Sequence, residues 1–182
     1  MNNHDSPNSN WSELNEARNR FISEIAQNMH LYGISQSVGR LYGTVFFAEK
    51  PMTLDQMSEA LGMSKTSMST GIRELSKSKM VERVWEKGVR KDLYQAEQDW
   101  YKSFSAVFIN RWRKATELNK EAIQDTKQML DELYDTTTDS HLQTHINRDL
   151  EKLDQAEAYY QWLDEVISLF ESGEIFSIVP KK

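Results

Sequence analysis

Apolar residues recur at intervals of three and four between Trp11 and Leu31, at Leu14, Ala17, Phe21, Ile22, Ile25, Ala26 and Met29, which is the spacing of one helix face. Gly33 ends that run. A second helical pattern begins near Ser35, takes in Val38, Leu41, Tyr42, Val45 and Phe46, and stops before Pro51. Thr53 followed three residues later by Gln56 predicts a capping box, and Leu54, Met57 and Leu61 form the apolar face of the short helix behind it. Gly62 supplies a tight turn, after which Ser64 caps a helix with Met68, Ile72 and Leu75 inward.

Two short helices joined by a glycine-bearing turn, with the small Ser58 at their crossing, make a helix-turn-helix. The pattern then changes period. "MVERVWE" and "VRKDLYQAE" alternate around Lys87-Gly88, with Val81, Val84, Val89, Leu93 and Tyr94 as strand formers, so a β-hairpin wing is expected behind the second helix. From Trp100 a helical pattern runs to "YDTTTDS". A last helix carries Leu142, Ile146, Leu150, Leu153, Ala156, Tyr160, Leu163, Ile167 and Phe170 at steps of three and four. Such a near-heptad seam calls for a helical partner, a need met by the preceding helix of the same chain and by a second subunit.

The expected fold is therefore mainly α, a winged helix-turn-helix with a small hairpin wing and long helical dimerisation elements. Its expected divisions are a disordered polar leader over residues 1–10, an N-terminal dimerisation helix over 11–34, the DNA-binding domain over 35–96, and long dimerisation and effector helices over 97–182.

Charge sharpens this picture. The net charge of −6 argues against a nucleic-acid partner until its distribution is considered. Residues 64–91 hold eight Lys and Arg against three Glu, a local +5 that leaves −11 on the remainder. A cationic patch on an anionic body fits phosphate binding at one face. On the fourth helix Ser64, Lys65, Thr66, Ser67, Ser69, Thr70 and Arg73 are small or basic, as a helix entering a major groove requires, and Lys87, Arg90 and Lys91 on the wing suit flanking phosphates. These ten residues are the candidate DNA contacts.

Other chemistry is thinly represented. Cysteine is absent, which removes disulfides, thiolate metal sites and thiol nucleophiles and suits a reducing cytoplasm. The chain has no apolar run long enough to span a membrane. His141, His145 and Asp149 share a helix face at zinc-ligand spacing, but no fourth ligand accompanies them and a solvated face explains them better. No phosphate loop, nucleophile elbow or His-Glu-x-x-His motif occurs. Neither an enzyme nor a cofactor is expected.

The order of elements resembles the MarR class of bacterial winged-helix regulators. Within that class "LYGISQSVGRLYGTVFF", "PMTLDQMSEALGMSKTSMSTGIREL" and "VWEKGVRKDLY" are similar to the GbsR branch, repressors of osmoprotectant synthesis or uptake genes. The resemblance implies a homodimer that sets two recognition helices in successive major grooves of a near-palindromic operator. Many MarR proteins carry an acidic residue two before the wing arginine, where this chain has Gly88 before Arg90.

The resemblance also implies a response to choline. A quaternary ammonium is held by aromatic ring faces, at about 0.5–2 kcal/mol per ring. Tyr42 on the second helix, Tyr94 leaving the wing, and Trp100, Phe104 and Trp112 at the start of the long helix are the candidate cage, with Glu97 or Asp99 complementing the cation. Rings at helical spacing serve equally as core. Two alternatives stand beside this reading: a MarR-type regulator of a different ligand, and a helical protein-protein adaptor with a vestigial winged helix.

Overall fold

The computed structural model describes the backbone of residues 7–182 and side chains from Asn10 onward. The first helix, α1, spans Pro7–Asn28 and passes into a 3-10 turn over Met29–Tyr32. It thus begins four residues before Trp11 and absorbs the end of the expected leader, because a proline at the first helical position lacks only an N–H that would have had no partner there. The rest of the expected leader, residues 1–6, lies outside the described residues.

Helix α2, Gln36–Phe46, is capped by Ser35, whose hydroxyl accepts from the Val38 N–H. It packs closely on α1: a Cβ built on Gly39 would sit 2.8 Å from Ala26 Cα, and one on Gly43 2.8 Å from Ile22. Helix α3, Leu54–Leu61, has the expected capping box, with the Thr53 N–H donating to Gln56 Oε1 at 2.8 Å. Gly62 adopts φ 62, a left-handed conformation that residues with a Cβ seldom take, and the Ser58 hydroxyl closes the turn by donating to the Met63 carbonyl at 2.5 Å. Helix α4, Lys65–Lys77, follows with Ser64 as its cap.

Strands β1, Val81–Val84, and β2, Leu93–Ala96, pair antiparallel with Val81 opposite Ala96 and Val84 opposite Leu93. The hairpin is shorter and its loop wider than the alternation predicted. Val89 lies outside both strands, because its N–H bonds the Glu86 carbonyl and Gly88 takes φ 90, which curls the tip into a local turn. Strand β2 is held beside the start of α3 by reciprocal backbone hydrogen bonds between Met52 and Tyr94 at 2.8 and 2.9 Å.

Met57, Met68, Ile72 and Leu75 are fully or almost fully buried in one core with Leu41, Val45 and Val81. Gly71 lets that core close, since a Cβ there would meet Leu41 Cδ2 at 2.8 Å. This first compact unit extends to Ser103.

The second unit comprises Phe104–Lys182. Helix α5, Trp100–Thr136, is 37 residues long and rises through about 55 Å. Asp139 caps α6, Ser140–Ser172, by accepting from the His141 and Leu142 N–H groups. Every residue of the predicted α6 seam is buried or half-buried, with Ile146, Leu163 and Ile167 most enclosed. Gly173 ends α6, and a short unpredicted helix, α7, covers Ile175–Ile178. No helix among the described residues is long and apolar enough to cross a membrane.

Candidate nucleic-acid interface

Met68, 1% exposed, anchors α4 in the core and so turns the opposite face outward. Lys65, Thr66, Ser67, Thr70 and Arg73 are exposed there, and Ser69 is half-buried on the flank. Ser64 is exposed but its hydroxyl caps the helix, accepting the Ser67 N–H at 3.1 Å and lying 2.8 Å from the Ser67 hydroxyl. The candidate surface therefore starts at a capped first turn, whose outward backbone N–H groups and dipole favour an anion.

The wing adds Lys87, Arg90 and Lys91, all exposed. Its bracing comes from residues that the local sequence did not single out. Arg83 on β1 pairs with Asp92 at the loop's end at 2.5 Å. Asp55 on α3 accepts from Lys65 Nζ at 2.8 Å and from Lys91 Nζ at 2.7 Å, linking α3, α4 and the wing. These two ammonium groups hold the Asp55 carboxyl at about 2, far below its ordinary value. Trp85 also escaped the sequence reading. It is 80% exposed at the start of the wing loop, and its signal was a bulky ring between Arg83 and Lys87.

The five candidate cage residues fall into separate surroundings. Tyr42 and Trp100 meet within the first unit, ring centroids 6.3 Å apart, in a cluster completed by Phe21, Phe46 and Phe47. Phe46 lies 5.0 Å from Phe47 and 5.6 Å from Trp100. Tyr42 is 2% exposed, and burial, aided by the nearby Tyr32, pushes its phenol up to about 12. Trp100 is 44% exposed and Phe21 39%. The Arg18 guanidinium lies 5.8 Å from the centre of the Phe47 ring, so a cation already occupies one face of the cluster.

Tyr94 sits in β2, half-buried against the first unit's core, opposite Arg83. Phe104 and Trp112 belong to the second unit, each flanking Phe108 at 6.1 and 6.2 Å, with Phe170 4.5 Å from Phe108. Phe21, Phe46 and Phe170 were read only as apolar-face or seam positions and Phe47 was not singled out, although the adjacent pair Phe46-Phe47 one turn beyond Tyr42 marked the cluster. Glu97 accepts from the Lys102 ammonium and the Asp99 N–H, which hold its carboxyl below the usual range. The His141 and His145 rings lie edge to face at 4.7 Å, while Asp149 accepts from Lys152 at 2.7 Å. Among the described residues, no group of three His, Cys, Asp or Glu could hold a metal ion.

A helix-turn-helix with an outward polar-basic second helix, flanked by a cationic hairpin, defines a winged-helix transcriptional regulator. Comparison with known proteins narrows the class. Residues 100–177 match the model described as "GbsR family transcriptional regulator, C-terminal helical hairpin". The chain is 41% identical over 170 residues to the HTH-type transcriptional repressor OpcR of Bacillus subtilis strain 168, covering 92% of this chain and 91% of OpcR. It is 36% identical over 171 residues to the HTH-type transcriptional repressor GbsR of the same organism, covering 93% and 94% of the two chains. A solved structure of a transcriptional regulator shares the fold at 17% identity with a TM-score of 0.57, over 84% of this chain and 93% of that one. The chain belongs to the GbsR family of transcriptional regulators, and its family and fold are those of regulators rather than enzymes.

Proposed function

We propose that the protein is a homodimeric repressor of osmoprotectant synthesis or uptake genes, released from a near-palindromic operator by a small quaternary amine such as choline. The observation that carries the DNA-binding part is the exposed row Lys65, Thr66, Ser67, Thr70 and Arg73 on α4, rigidly capped and set beside the wing cations. Thr66 and Thr70 meet base edges, Lys65 and Arg73 meet phosphates or guanine, and Lys87, Arg90 and Lys91 hold the flanking backbone. Support for the effector is the ring cluster of Phe21, Tyr42, Phe46, Phe47 and Trp100, where the Arg18 guanidinium already rests on an aromatic face. The length of α5 and the apolar residues that α5 and α6 leave exposed, Leu118, Met129, Leu133, Tyr159 and Trp162, suit pairing with a second subunit.

The test is fluorescence anisotropy of the full chain on duplex from its own gene's upstream region, with and without millimolar choline. Tight binding that choline weakens supports the whole reading. Tight binding indifferent to choline keeps the regulator and discards this effector, and the absence of salt-sensitive binding favours the adaptor. Trp100→Ala should fold, bind the duplex and lose the choline response.

A further inference from the structure

Asp55 has two partners far away in sequence, Lys65 at the first helical position of α4 and Lys91, 36 residues on, in the wing. Its two carboxylate oxygens take one ammonium each, Oδ1 from Lys65 and Oδ2 from Lys91. Arg90 and Asp92 line the same cleft, and Asp92 is itself tied to Arg83. All three members of the trio are substantially solvent-exposed, and exposed ion pairs of this kind add little to stability. Their effect is geometric: two long, flexible side chains from different elements are brought to one point.

A backbone phosphate also presents two charged oxygens, so it accepts the same pair of ammonium groups that the carboxylate now organises. The carboxylate has a second consequence. It leaves the cleft with one net positive charge from the two lysines, and it repels any phosphate that does not arrive where both ammonium groups can turn to it. Non-specific affinity for DNA grows with the number of phosphates neutralised, so a fixed negative charge among the contact lysines lowers it for every register. In the operator register, the α4 contacts bring one phosphate to the cleft and recover the interaction.

We propose that Asp55 is a specificity-determining positioning residue, whose carboxylate pairs Lys65 and Lys91 for one operator phosphate and suppresses their binding to DNA in other registers. This rests on the DNA-binding reading above. Asp55→Asn keeps the side chain's shape while removing its charge and one of its two acceptors, and Asp55→Glu restores both.

The experiment titrates the full-length wild type, D55N and D55E onto the upstream duplex and onto a scrambled duplex of equal length and composition, across a series of salt concentrations. D55N should bind scrambled DNA about five- to tenfold more tightly, with a salt slope steeper by about one unit. Its affinity for the upstream duplex should stay level or fall, so the ratio of the two drops at least about fivefold, and D55E should recover most of it. Equal gains on both duplexes, or an unchanged ratio in D55N, would overturn the proposal and leave the regulator reading intact. Wild-type protein that does not distinguish the two duplexes would overturn both. Thermal melts of the three proteins separate a charge effect from a folding defect, and a large loss of melting temperature in D55N would make Asp55 a structural residue and overturn the assignment.

Discussion

In the second unit Arg113 reaches Asp164 at 3.1 Å and Glu171 at 2.7 Å, Lys120 reaches Asp164 at 2.6 Å, and Lys127 reaches Asp154 and Glu157 at 2.6 and 2.5 Å. On α4 and the wing, by contrast, Arg73, Lys87 and Arg90 are exposed and enter no ion pair among the described residues. The residue types are the same but their surroundings differ. Between α5 and α6 Arg113, Lys120 and Lys127 each stand opposite carboxylates of the facing helix, so charge adds to the apolar contacts in setting the register of the two helices. On α4 and the wing cations outnumber acids, and two carboxylates, Asp55 and Asp92, brace lysine and arginine beside the wing. A charge satisfied within the chain builds structure, and one left outward is available to a partner.

The largest effect should come from the apolar seam on which the charge ladder rests. Ile167 is 0% exposed, and Ile167→Ala should destabilise the protein by about 2–5 kcal/mol in urea unfolding. A smaller loss would mean that the ladder, not the seam, holds the hairpin.

Next in size is the buried phenol of the first unit. Tyr42 ionises near 10 in the unfolded chain and at about 12 when folded, so its contribution to stability is complete below pH 10 and is lost as pH rises from 10 towards 12. The slope in that window approaches one proton, about 1.4 kcal/mol per pH unit, and Tyr42→Phe should remove it. Unfolding midpoints between pH 9 and 12 measure this directly. The Asp55 carboxyl, held at about 2, has the opposite sense: its contribution is complete above the ordinary carboxylate range and is lost only as pH falls towards 2. The recognition face should therefore keep its charge pattern throughout the neutral range.

Arg113→Ala should lower the melting temperature by roughly 2–4 °C and leave DNA affinity unaltered, since its partners Asp164 and Glu171 lie within the second unit. On the wing the outcome should reverse. Trp85→Ala and Arg90→Ala should shift the melting temperature by no more than about 1 °C, because both side chains are exposed. Each should nevertheless weaken DNA binding, and Arg90→Ala should flatten the salt slope by about one unit across sequences. If Arg113→Ala weakened DNA binding as much as Arg90→Ala did, the division between internal and outward charge would fail.

Several elements of the fold were legible because their causes are local. The Thr53 and Gln56 box, the left-handed Gly62 and the Ser64 cap delimit α3 and α4 through groups no more than four residues apart. The seam of α6 followed from a single period. The wing was legible in kind but not in extent: alternation placed Val89 in a strand, whereas the Glu86–Val89 turn and the Met52–Tyr94 bridge decided which residues pair. Gly71 gave no warning of its role, since what makes it necessary is Leu41, thirty residues away on another helix.

The candidate site divides along the same line. The sequence by itself determined the outward face of α4, because burying Met68, Ile72 and Leu75 leaves Lys65, Thr66, Thr70 and Arg73 no other direction in which to point. The gathering of Phe21, Tyr42, Phe46, Phe47 and Trp100 from α1, α2 with its C-terminal cap, and α5, and the meeting of Lys65 and Lys91 on Asp55, were decided only by the tertiary structure. Periodicity and capping act within one or two turns of a chain, whereas these contacts exist only once separate elements have packed and fixed the distance between their surfaces.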